Sequence, residues 1–161
     1  MPVDSAHSRL ITNSRPAAQR PLVPRVALYL GALALLATGA VHLEQYYVDQ
    51  YSIVPTIGSL FLLNFISAGV VAAGLLAPLG RLVGRFANFV RALLALSGIG
   101  IAITSLIALL ISESSGLYGF MELGYRTPVV LSIATEVAAV LFLTGFLAMN
   151  GLGVDTFRAD A

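Results

Sequence analysis

The sequence predicts an all-α membrane protein, a bundle of four transmembrane helices arranged as two hairpins. Three observations carry this. Of 161 residues, 58% are hydrophobic and 11% charged, and the mean hydropathy is +0.90; a soluble domain carries roughly 25% charged residues. Four apolar stretches divide the chain, each close to the about 20 residues that cross a hydrocarbon core of about 30 Å. With one exception, the arginines fall on a single side of the membrane that those stretches imply.

Residues 1–21 are polar, with Pro2, Pro16 and Pro21 among Arg9, Arg15 and Arg20. Lacking a helical apolar period, they are expected to form a disordered cytoplasmic tail. The first span is expected at 22–43. Its uncharged centre is short, and Leu22, Val23 and the Tyr46/Tyr47 belt extend it. The small residues Ala37, Thr38, Gly39 and Ala40 after an apolar run also admit a cleaved signal peptide. Against cleavage stand the long basic region, Pro24 within it, and the lack of a clear A-x-A site. The second span is expected at 53–79, closed by Pro78 and Gly80. A short ordered turn with Arg81 and Arg85 follows at 80–85. The third span is expected at 89–112 and the fourth at 128–150, with Pro128 suited to a first helical turn. Residues 151–161 make a second short cytoplasmic tail. The membrane domain is therefore 22–150.

Four spans place Arg9, Arg15, Arg20, Arg25, Arg81, Arg85, Arg91 and Arg158 on one side and Arg126 on the other. Cytoplasmic segments collect basic residues, so both termini are expected in the cytoplasm of a bacterial plasma membrane (a cell inner membrane). Glu44, Asp49, Glu113 and Glu122 then lie in or near the outer loops, with Tyr46, Tyr47, Tyr51, Tyr118 and Tyr125. Each half reads as helix, outer loop, proline, helix. Asn64 lies nine residues after Pro55, and Glu136 eight after Pro128. This echo suggests a parallel pseudo-repeat with its axis along the membrane normal. Ala68/Ala72, Gly69/Ala73 and Ala134/Ala138 have the four-residue spacing that lets membrane helices approach closely.

Few residues could carry chemistry. Glu136 lies about eight residues, or about 12 Å, inside the outer end of its helix. A carboxylate there costs about 2.5–3.5 kcal/mol on insertion scales. It is expected to face the bundle interior, within reach of Asn64, His42 or Ser132, as a proton or cation site or as interhelical glue. His42, about one turn inside the first span, suits a proton relay, a metal or haem ligand, or an interfacial hydrogen bond; Glu44 would reach outward. Asn64, expected near mid-bilayer, suits helix packing or ligand binding. Glu122 and Arg126 have the spacing of a helical salt bridge. Arg25, Arg81, Arg85 and Arg91 form a basic rim suited to anionic lipids or a partner protein.

The chain has no Cys, which excludes disulfides, thiolate nucleophiles and Cys-ligated metals. No catalytic triad, metal-protease motif, phosphate loop or dinucleotide fingerprint occurs. No catalytic residue, metal or cofactor is expected, and a net charge of +1 gives no case for nucleic acid.

The strings A-V-H-L-E-Q-Y-Y and Y-S-I-V-P-T-I-G-S-L-F-L-L-N-F resemble those of small, uncharacterised four-helix integral membrane proteins of actinobacterial type. In size and helix count the chain is also faintly similar to DoxX-like membrane proteins, some linked to quinone or redox chemistry. The resemblance implies a fold and carries no site residue across. Two functions are open. One is a non-enzymatic accessory or scaffold protein that meets membrane lipids, another membrane protein or its own copies through helix faces and the basic rim. The other is a small proton-coupled transporter or redox- and quinone-associated protein using Glu136, Asn64 and His42. The scarcity of polar groups favours the first; a water-filled cleft converging on Glu136 would favour the second.

Overall fold

The fold was analysed in a computed structural model, which describes residues 22–121, 124 and 126–150. The expected tails at 1–21 and 151–161, Tyr125, and the Glu122 half of the expected salt bridge lie outside the described residues. Four long helices form the molecule: α1 (Leu22–Tyr47), α2 (Ile57–Leu76), α4 (Ala87–Ser114) and α5 (Thr127–Asn150), with a short α3 (Leu79–Leu82) between α2 and α4. Each long helix is apolar and long enough to cross a bilayer. At 26 residues, α1 is about 39 Å long. Leu33, Leu63, Val70, Leu110 and Leu141 are exposed on the outside of the bundle. A helix that is apolar on every face is stable only where its surroundings are apolar too. The protein is therefore a multi-pass membrane protein, and lipid is the solvent of its outer surface.

Local sequence explains the helix ends. The second helix starts at Ile57, later than the expected residue 53. Residues Tyr51–Ile53 form a 3-10 turn instead, and Thr56 takes φ 67° just after Pro55. Gly58 makes this corner possible: a Cβ there would lie 2.6 Å from the Tyr51 carbonyl oxygen. At the other end Ala77 is extended (φ −64°, ψ 150°), as the residue before a proline prefers. Helix α2 thus stops at Leu76 rather than at residue 79, and Leu79 belongs to α3. The expected turn at 80–85 is ordered, as α3 and a 3-10 turn at Gly84–Phe86. Helix α1 continues past residue 43 to Tyr47, and α4 runs beyond 89–112 at both ends.

The helices run up, down, up, down. Helix α1 packs against α2 and α5, and α4 completes the square against the same two helices, while α1 and α4 barely meet across the diagonal. The core is small-residue rich: Ala32, Ala68, Ala72, Ala95, Ala102 and Ala139 are fully or almost fully buried beside Leu35, Leu75 and Leu143. Among the expected small pairs, Ala68 and Ala72 are buried. Gly69 has nothing within 4 Å of a would-be Cβ, Ala73 and Ala134 are exposed, and Ala138 lies at the core's edge. The face of α5 that packs inward runs instead through Ser132, Glu136, Ala139 and Leu143. One end of the bundle carries the α1–α2 and α4–α5 loops; the other carries the α2–α4 turn and the termini of the helical domain.

Candidate functional site

Between α2 and α4, in the half nearer the two long loops, lies a cavity of about 430 Å³. All four helices contribute: His42 and Gln45 from α1, Phe61 and Asn64 from α2, Thr104 and Ser105 from α4, Ser132 and Glu136 from α5. Leu60, Leu63, Gly100 and Thr104 line it and are also exposed, so the cavity opens sideways through the α2–α4 seam. Because α2 starts at Ile57, Asn64 sits nearer the two-loop end than the sequence suggested.

Glu136 is 1% exposed and faces the interior, as its cost in lipid demands. Its Oε1 accepts a hydrogen bond from the Ser132 hydroxyl, 3.1 Å away and one turn earlier on α5. His42 Nε2 lies 3.8 Å from the same Oε1, an ion-pair distance too long for a hydrogen bond. The ring is held from its other side, where Nδ1 lies 2.9 Å from the Thr38 carbonyl oxygen. A carbonyl only accepts, so Nδ1 carries a proton and Nε2 faces the carboxyl. Ser105 Oγ stands 3.2 Å from Nε2 and also lies beside the Glu136 carboxyl.

This geometry suits the pair to share one proton. With Nδ1–H committed to Thr38, Nε2 of a neutral ring is a lone pair. A lone pair facing a carboxylate in an apolar interior is unfavourable, so the pair is at ease holding one proton, on either the imidazole or the carboxyl. The Ser105 hydroxyl, both donor and acceptor, is suited to pass it between them. Thr38, fully buried, also donates to Thr135 Oγ1 at 3.1 Å. That bond fastens α1 to α5 at the level of the pair.

Asn64 lines the same cavity, and its Oδ1 is buried without a hydrogen-bond partner among the described residues. The two residues that the sequence echo equates, Asn64 and Glu136, thus reach one chamber. Glu44 does not line the cavity; it is exposed on α1. A roof closes the two-loop end. Leu117 and Phe120 cover the cavity, and Tyr51 packs on Phe61 and Phe120 with ring centroids 4.8 and 5.2 Å apart. Arg126 donates to the Tyr51 hydroxyl and lies 3.3 Å from Asp49, tying the α1–α2 loop to the start of α5. Arg25, Arg81, Arg85 and Arg91 gather at the opposite end of the bundle, where Arg85 lies over the Phe86 ring at 4.8 Å.

Sequence reasoning brought Glu136, His42, Asn64 and Ser132 forward and missed Ser105, Phe61 and the Thr38–Thr135 bond. Ser and Thr on membrane helices usually bond to their own backbone, so nothing in its own stretch distinguishes Ser105 from Ser97, which does so. Among the described residues, no three His, Cys, Asp or Glu side chains gather as a metal site would require. Comparison with known proteins finds no matching family model, no matching curated protein and no matching solved structure, so function must be argued from this geometry alone.

Proposed function

We propose that the protein is a small proton-coupled carrier of the bacterial plasma membrane that binds a lipid-soluble molecule in the cavity between α2 and α4. The termini lie in the cytoplasm and the roofed end faces outward; the one-sided arginines support this orientation. Glu136 and His42 hold the exchangeable proton, Ser105 relays it, and Asn64 meets the ligand. The observation that carries this reading is the convergence of these four residues on one chamber of about 430 Å³, within the size range of small-molecule sites. An accessory protein acting only through its outer faces has no use for such a chamber. Close packing of the same helices would recover the dispersion energy that the void forgoes.

The sideways opening supports entry from the bilayer. Hydrophobic molecules partition into lipid first, and a gap between two helices admits them without passage through water. A quinone-associated role uses the same opening and would reveal itself by a quinone that co-purifies. Two measurements test the proposal. Infrared difference spectra across a pH titration should show a membrane carboxyl that titrates in the wild type and is lost in Glu136→Gln. Extraction and mass spectrometry should recover a small molecule from the wild type that is depleted in Ser67→Phe, which fills the cavity. A spectrum with no titrating membrane carboxyl defeats the proton site; identical extracts defeat the ligand site.

A further inference from the structure

The lining of the cavity restricts the charge of what it holds. Among the described residues that form it, Glu136 is the one side chain able to carry a negative charge, and no arginine takes part. Arg126 is engaged above the roof with Asp49 and Tyr51, and Arg25, Arg81, Arg85 and Arg91 sit at the far end. An anion entering the cavity would meet a carboxyl, an amide and hydroxyls with no permanent positive charge opposite. A hydrogen-bond donor is welcomed instead, because Asn64 Oδ1 is buried and accepts no bond from the described residues. Two aromatic rings, Phe61 and Phe120, complete the wall, and aromatic faces attract cations. Tyr51, which touches both rings, already has the Arg126 guanidinium 5.9 Å from its centroid.

We propose that the cavity binds a monovalent lipophilic ammonium ion, its charged nitrogen at Glu136 and Asn64 and its apolar body in the α2–α4 seam. This rests on the ligand-binding reading above and names its substrate class. The groups that face Glu136 are His42 from α1, Ser105 from α4, Ser132 from α5 itself and Asn64 across the cavity from α2; of these only His42 titrates. The empty pair, holding one proton, is neutral. When the ammonium arrives, that proton leaves to water, Glu136 is ionised, His42 is neutral, and the sum with the ligand is again neutral. One cation therefore exchanges for one proton, and the low-dielectric interior never carries a net charge.

The test uses three probes on one skeleton: phenylbutylammonium, phenylbutanol and phenylbutyrate. Each is titrated calorimetrically into the full chain in lipid nanodiscs, with empty nanodiscs as blank. Phenylbutylammonium should bind at least about tenfold more tightly than phenylbutanol, about 1.4 kcal/mol, and phenylbutyrate should bind weakest. Proton release, read from buffers of different ionisation heat, should accompany the ammonium alone. Glu136→Gln should abolish both the preference and the release. Asn64→Val removes an oxygen that accepts no bond in the free protein, so it keeps the fold testable if Glu136→Gln misfolds. It should cost the ammonium about tenfold, the loss of one hydrogen bond to a charged group, and leave phenylbutanol unchanged. Equal binding of ammonium and alcohol, or ammonium binding without proton release, overturns the cation assignment while leaving a ligand cavity in place. Failure of all three probes to bind overturns the cation assignment and the ligand-binding reading together.

Discussion

The α1–α5 interface and the α2–α4 seam occupy opposite sides of the same square of helices and are built differently. At the first, Gly31 lets α5 approach so closely that a Cβ would lie 2.5 Å from Leu143 Cδ2, and Thr38 bonds to Thr135. At the second, Gly100 has nothing within 4 Å of a would-be Cβ, and the walls part around the cavity. The contrast shows that small residues are not by themselves a packing signal. Gly31 brings α1 and α5 together, whereas Gly100 lies against open space. In lipid, close approach is stabilised by dispersion and interhelical hydrogen bonds, with no hydrophobic force to drive it. An interface without complementary shape simply stays open. The closed side holds His42 beside Glu136, while the open side leaves the cavity that both line.

The largest effect expected is at the closed interface. Gly31→Val should destabilise the protein by about 1–3 kcal/mol through overpacking against Leu143, measured by reversible unfolding in mixed micelles. A variant as stable as the wild type would mean that α1 and α5 are not tightly apposed. Next in size is a cavity substitution. Ala108→Leu adds bulk to a lining residue, so it should change stability by less than about 1 kcal/mol, since it fills a void rather than overpacking. It should nevertheless weaken probe binding, and a cost as large as that of Gly31→Val would show the seam to be closed. Thr38→Val keeps the volume and the backbone carbonyl that orients His42 but deletes the bond to Thr135. It should cost about 0.6 kcal/mol, the average for such bonds in a membrane protein, with probe binding retained. Loss of binding in that variant would show that the threonine hydroxyl, and not the carbonyl, positions the pair. The smallest effect is at Gly100→Ala, expected to cause no loss of stability, because the added methyl meets open space.

Much of the architecture was legible before any packing was known. Composition dictated lipid as solvent, four apolar stretches dictated four helices, and the high cost of a carboxylate in lipid dictated that Glu136 turn inward. Each of these follows from short stretches of chain and a transfer energy, so each needs no knowledge of neighbours. The boundaries were less legible. Pro55 was visible, but the φ of Thr56 and the close approach of Gly58 to Tyr51 that delay α2 to Ile57 depend on the whole corner.

Tertiary structure alone decided the site. Membrane helices are apolar on all sides, so no amphipathic stripe tells which face turns inward. The four-residue pattern at Ala134/Ala138 therefore suggested an interface one face away from the inward one through Ser132, Glu136, Ala139 and Leu143. Which nitrogen of His42 meets Glu136 was set by the Thr38 carbonyl, and Ser105 acquired a role because α4 sets it beside that ring. The cavity itself is a property of no residue. It is the volume left where α2 and α4 part toward the two-loop end, and only the positions of all four helices determine it.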